Sequence, residues 1–195
     1  MFVGHFGIAQ LGKAARREIP FIWLLVAAYL PDLVRVPLTS LGPRQELLSH
    51  SIPAVTMLAL AIAALWQLRG GNLIAAAVIA LACLLHWPAD FFTGCKPTTF
   101  HGPWLGLISY RRPVNDLLVE GALVVGGWVA ARRSGFAIGR VWLVLGFVVQ
   151  LAFLTSMYWQ SEFFIGDREW MWKPSVSLVP RRSVLEESVC RPPKT

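Results

Sequence analysis

Acidic side chains are scarce in this chain. Only 11 Asp and Glu stand against 18 Lys and Arg over 195 residues, and just six of the 11 fall in the first 160. Charged residues of both signs reach 15%, well short of the roughly 25% that clothes an ordinary soluble domain. Cysteine is scarcer still: Cys83, Cys95 and Cys190 form no CxxC and no paired spacing, which argues against a zinc knuckle and against a disulfide framework. On that reading Cys83 is a small core residue in an apolar run, and Cys95, beside the candidate site, is a bystander in preference to a soft ligand. A cleavable leader is not expected, because Lys13, Arg16 and Arg17 follow the first apolar stretch instead of preceding it. No internal repeat is visible.

Apolar residues are what the chain has in abundance. Hydrophobic side chains make up 55% and the mean hydropathy is +0.55, values of the membrane class. Nine Trp suit interfacial anchoring, although Trp also fills ordinary cores. The net charge of +7 comes from Lys and Arg lying mainly between apolar segments and in the tail. Topology and attraction to membrane lipids explain that pattern better than nucleic acid, which is not expected as a partner. The expected fold is all-α, a polytopic integral membrane bundle of five to six segments at 2–17, 19–36, 50–68, 72–92, 114–131 and 140–160. Two long connections, 37–49 and 93–113, are rich in Pro and Gly. Residues 1–160 are read as the membrane-embedded domain, and 161–195 as a Trp- and Arg-containing tail, disordered in part.

Against this background His5, Asp32, His50, His86, Asp90, His101, Asp116 and Glu120 stand out. A carboxylate at the centre of a membrane helix costs about 2.5–3.5 kcal/mol, so one that is present has a reason. Helix arithmetic puts several of these groups level. At 1.5 Å per residue, His5 and Asp32 both rise about 18–21 Å from the turn near Arg17. His50 lies about 30 Å above the turn at Gly70, with His86 and Asp90 roughly 22–28 Å above it. Five polar groups therefore gather at one end. Lys13, Arg16, Arg17, Arg69, Arg132, Arg133 and Arg140 occupy short connections at the other, which the positive-inside rule makes cytoplasmic. The long loops also hold Arg35, Arg44, Lys96, Arg111 and Arg112, so the charge bias is not one-sided.

Histidines and carboxylates collected at one depth have the composition of a metal site. His86 and Asp90 stand at i and i+4, about 6 Å apart on one helix face, where they can share an ion; Asp116 and Glu120 repeat that spacing. Plainer readings stand beside this one. Asp32 after Pro31 suits a helix end meeting water, and His50 between two serines suits a cap region. His101 in Phe-His-Gly-Pro suits an exposed loop, and Asp116 suits the positive end of a helix dipole. Glu120, one turn deeper, is harder to explain by solvation.

The blocks Gly4-His5-Phe6, Leu30-Pro31-Asp32, Leu48-Ser49-His50-Ser51 and Leu85-His86-Trp87-Pro88-Ala89-Asp90 resemble, as an ordered set, a bacterial inner-membrane family of membrane-bound metal-dependent hydrolases. The likeness covers roughly residues 1–130. More distantly, the order His5, Asp32, His50, His86-x-x-x-Asp90, His101, Asp116-x-x-x-Glu120 is similar to the ligand order of zinc-dependent phospholipases C and their single-strand nuclease relatives. It departs from them at Asp116, where those enzymes have His, and in its shorter spacings. It also lacks the N-terminal Trp that supplies their terminal ligand, which implies one or two ions instead of three. These resemblances imply a divalent metal, zinc first and manganese as the alternative. They make His5, His50, His86, Asp90, His101, Asp116 and Glu120 its ligands, and Asp32 the catalytic group or a further ligand.

The function expected is a membrane-bound, metal-dependent hydrolase of the bacterial inner membrane. It would act on a phosphoester or lipid-linked substrate at the outer face, periplasmic or exterior. Arg111 and Arg112 would clamp a phosphate, unless they are topogenic charges at the membrane surface. The main alternative is a non-enzymatic metal-binding or transport-related protein. A channel is disfavoured because the cytoplasmic halves offer only Gln10, Gln67 and small residues. A third reading makes Trp159, Trp170 and Trp172 a docking surface for an assembly partner.

Overall fold

The structure is a computed structural model, and it describes residues 3–41, 44–100, 102–107 and 113–136, together with 144, 148, 151, 152, 189 and 190. Seven α-helices dominate the described residues: α1 (Gly4–Ala15), α2 (Phe21–Arg35), α3 (Arg44–His50), α4 (Ile52–Leu68), α5 (Leu73–Leu84), α6 (His86–Thr93) and α7 (Pro113–Arg133). A 3-10 turn, Val36–Leu41, follows α2. The expected segment at 50–68 is thus α4 with His50 just before it, and the connection expected at 37–49 is largely helical. The segment expected at 140–160 lies mostly outside the described residues.

The helix ends follow from local chemistry. Ser51 caps α4 by accepting the Ala54 N–H at 3.3 Å, and Asn72 caps α5 by accepting the Ala75 N–H at 2.7 Å. Between those helices Gly70 takes φ +79°, which a residue with a Cβ adopts only at a cost. Pro88 has no N–H to give Leu84, and the boundary between α5 and α6 falls there, at Leu85. The rod carries on, since Leu85 N–H reaches Leu81 O at 2.9 Å and Ala89 N–H reaches Leu85 O at 3.1 Å.

Packing sets the helices around a core of Ile8, Leu24, Ala27, Ala28, Val55, Ala59, Ile79 and Ala82. Helix α1 lies chiefly against α7, and the approach is close: a Cβ on Gly7 would fall 2.4 Å from the Leu123 carbonyl oxygen. The short basic turns meet at one end of the molecule. Lys13 Nζ sits 5.0 Å from the Phe136 ring centre, Phe21 packs on Phe136 at 5.5 Å, and the Arg69 guanidinium lies 5.5 Å over Trp23.

Two helical stretches, Phe21–Leu38 and Leu73–Thr93, are long and apolar enough to cross a membrane, and Ile52–Leu68 is a shorter apolar helix. Five or six spans are therefore more than these lengths establish among the described residues. Beside the apolar core, large apolar side chains lie on the surface and several polar ones lie inside. Met57, Leu60, Leu65, Leu68, Leu73 and Ile74 are exposed, while His5, His50, His86, Asp90, Asp116 and Glu120 are buried.

The connection expected as a plain loop at 93–113 contains a small antiparallel sheet. Strand β1 (Lys96–Pro97) pairs with β2 (Trp104–Leu105), and β2 pairs with β3 (Val189–Cys190). A piece of the tail therefore returns to the helical domain. Cysteine chemistry also departs from expectation: Cys95 is disulfide-bonded, whereas Cys83 is free and buried. The pairing was invisible in the spacing because it is made in the tertiary structure, far from any CxxC.

Candidate metal centre

Four helices each deliver part of one buried cluster. From α1 comes His5, from α2 Asp32, from the end of α3 His50, and from α6 both His86 and Asp90. Asp90 is the hub. Its Oδ1 is 3.8 Å from His5 Nε2, and its Oδ2 is 3.4 Å from His86 Nε2 and 3.6 Å from His50 Nε2. Asp32 Oδ1 faces two of the same rings, 3.2 Å from His50 Nε2 and 4.0 Å from His86 Nε2. The His5 and His86 ring centres are 3.9 Å apart. Among the described residues two groups of three ligand atoms lie within 4.8 Å of one another: His5, Asp32 and His86, and His50, His86 and Asp90.

Two of the rings are oriented by the atoms behind them. His86 Nδ1 donates to the Ala28 carbonyl oxygen at 2.8 Å; a carbonyl only accepts, so this nitrogen carries a proton, and Nε2 is the nitrogen turned toward the carboxylates. Pro31, inside α2, has no N–H for the Ala27 carbonyl, which loosens the helix beside the Ala28 acceptor. His50 Nδ1 lies 2.7 Å from Ser49 Oγ, leaving its Nε2 toward the carboxylates. Protein metal sites use this arrangement, with the outer nitrogen bonded to the protein and the inner one aimed at the ion.

The donor set fits a divalent cation. Three imidazoles and two carboxylates are borderline ligands suited to zinc and accepted by manganese. Both ring nitrogens of His5 and the Nε2 of His86 are buried without a hydrogen-bond partner among the described residues, and a buried polar atom in that state is costly. His86 Nε2 faces an Asp90 oxygen at 3.4 Å, a spacing at which the two could share a cation. The cluster is not sealed. Asp32 keeps 35% of its side chain exposed while Asp90 keeps 3%, so the opening is at Asp32.

Two further expected site residues, Glu120 and Asp116, fall among the described residues. Glu120 Oε2 accepts the backbone N–H of Val3 at 2.7 Å and of Gly4 at 2.9 Å, satisfying the start of α1, which has no side-chain cap of its own. Asp116 is buried in the first turn of α7. Neither belongs to the two groups above. His101, Arg111 and Arg112 lie outside the described residues. Two contributors escaped the sequence reading: Ser49, visible only as a neighbour of His50, and Lys96, whose Nζ is 3.3 Å from Asp90 Oδ2.

Comparison with protein-family models, with curated proteins and with solved structures finds no match for the chain.

Proposed function

We propose that the protein is a membrane-bound metal-dependent hydrolase that cleaves a phosphoester, in a lipid or a lipid-linked substrate, at the outer face of the bacterial inner membrane. The observation that carries this reading is the convergence of His5, Asp32, His50, His86 and Asp90 from four helices, with oriented rings and one exposed carboxylate. His5, His50, His86 and Asp90 would hold one or two ions, zinc first and manganese as the alternative. A bound divalent cation supplies charge to neutralise phosphoryl oxygens and to make water more acidic. Asp32 reaches both the cluster and solvent, the position from which a carboxylate can orient a water and take its proton.

The membrane setting draws support from the two helical stretches long and apolar enough to span a bilayer and from the large exposed apolar side chains on α4 and α5, which are natural in lipid and unfavourable in water. Orientation draws support from two features. The short basic turns collect at the end away from the site, and the disulfide of Cys95 belongs to an oxidising compartment. The +7 charge is read as topogenic and lipid-directed, with no nucleic-acid partner.

Detergent-purified protein assayed on a nitrophenyl phosphodiester tests the reading. Turnover should disappear with chelator and return with zinc or manganese. Chelator-insensitive turnover would refute it, and tightly bound metal with no turnover on any phosphoester would favour a non-enzymatic metal-binding protein instead.

A further inference from the structure

The strap that follows α6 delivers a lysine to the cluster, and its construction explains why that lysine is there. Trp87 Nε1 donates to the Pro97 carbonyl at 3.1 Å, Ile52 N–H to the Thr98 carbonyl at 3.1 Å, and Leu107 N–H to the Phe91 carbonyl at 2.8 Å. Thr98 N–H closes the strap on Pro103 O at 3.0 Å. Gly106 rests against the Gly94 carbonyl so closely that any Cβ would overlap it, and Cys95 adds its disulfide. Between these anchors Lys96 is paired in the sheet with Leu105. Its side chain is 12% exposed, and its ammonium lies 3.3 Å from Asp90 Oδ2, the oxygen that also faces His50 and His86. A monovalent side-chain cation thus stands against a carboxylate oxygen that belongs to one of the two ligand groups.

We propose that Lys96 is the anion-recruiting residue of this site: its ammonium neutralises Asp90 in the metal-free protein and is released toward the opening at Asp32 when a divalent cation takes that carboxylate, there to bind a phosphoryl group. This rests on the metal reading given above. Electrostatics motivate the exchange. A buried carboxylate needs a cationic partner, and a divalent ion outcompetes an ammonium for it. A lysine freed from Asp90 is then held within reach of an anionic ligand by a strap anchored through Pro97, Thr98 and Leu107. Lysine binds phosphate as a compact point charge with three donors.

Wild-type protein in detergent provides a test that does not need turnover. Acylation of Lys96 by an amine-directed reagent, followed by mass spectrometry, should run about tenfold faster with saturating zinc than in the apo protein, since an ion-paired buried ammonium is protected. Inorganic phosphate added to the zinc-loaded protein should slow it again. Zinc titrations supply the second arm. Lys96→Met should bind zinc about tenfold more tightly than wild type, because a competing cation is gone, and should bind inorganic phosphate about tenfold more weakly once loaded. Lys96→Arg should bind phosphate as wild type does. Zinc that leaves Lys96 labelling unchanged, or phosphate that fails to slow it, overturns the proposal; so does an unaltered zinc affinity in Lys96→Met. Loss of hydrolysis alone would bear on the function proposed above and not on this exchange.

Discussion

Glu120 and Gly4 are joined by a hydrogen bond of 2.9 Å from the Gly4 N–H to the Glu120 carboxylate, one residue before His5. With its partner bond from Val3, this contact fixes the start of α1 from a helix 116 residues away in sequence. A buried acid expected as a ligand thus also holds the start of the helix that carries His5.

That relationship separates the two roles. Glu120→Gln keeps an oxygen that can accept both N–H groups, so the protein should retain most of its zinc and most of its stability. Glu120→Ala leaves buried donors unsatisfied and should lower stability by about 1–3 kcal/mol, with zinc binding weakened through His5. Metal analysis and thermal unfolding of both variants decide it: a Glu120→Gln protein stripped of metal would make Glu120 a ligand.

Asp90 and Asp32 should behave differently although both are carboxylates of the cluster. Asp90 faces all three histidines, and Asp90→Asn removes the charge that offsets the cation, so zinc affinity should fall by more than about tenfold. Asp32→Asn should keep more metal while phosphodiester turnover drops about 10²–10⁴-fold, the scale of a lost general base. Elemental analysis beside turnover measures both. Full metal content in Asp90→Asn contradicts the assignment.

Ser49 lies 2.7 Å from His50 Nδ1 and on the far side of the ring from the cluster. Ser49→Ala should weaken zinc binding about tenfold, as losing a group that orients a ligand does, with little change in the melting temperature of the apo protein. Equal zinc affinity in the two proteins would mean that His50 is held by packing alone.

The proposed orientation places the turns at Gly70 and Ser134 in the cytoplasm. Single cysteines introduced there should react with an impermeant thiol reagent only after the cells are opened. Labelling of either from outside intact cells would invert the topology.

Much of this protein is determined locally. Helices between Gly4 and Arg133 follow from long apolar runs punctuated by Ser51, Asn72 and Gly70, because capping and φ preferences act within a few residues. The levelling of His5, Asp32, His50, His86 and Asp90 was equally legible, since helix rise is fixed and short turns force neighbouring helices to run antiparallel. What only the tertiary structure decided depends on contacts between distant segments. Glu120 accepts the N–H groups that open α1, across an α1–α7 contact so close at Gly7 that a Cβ would not fit. The Cys95 disulfide, the β-strap and the position of Lys96 against Asp90 likewise arise from long-range pairing, which residue type and spacing do not encode. Local propensity places a side chain along its helix; packing chooses what that side chain meets.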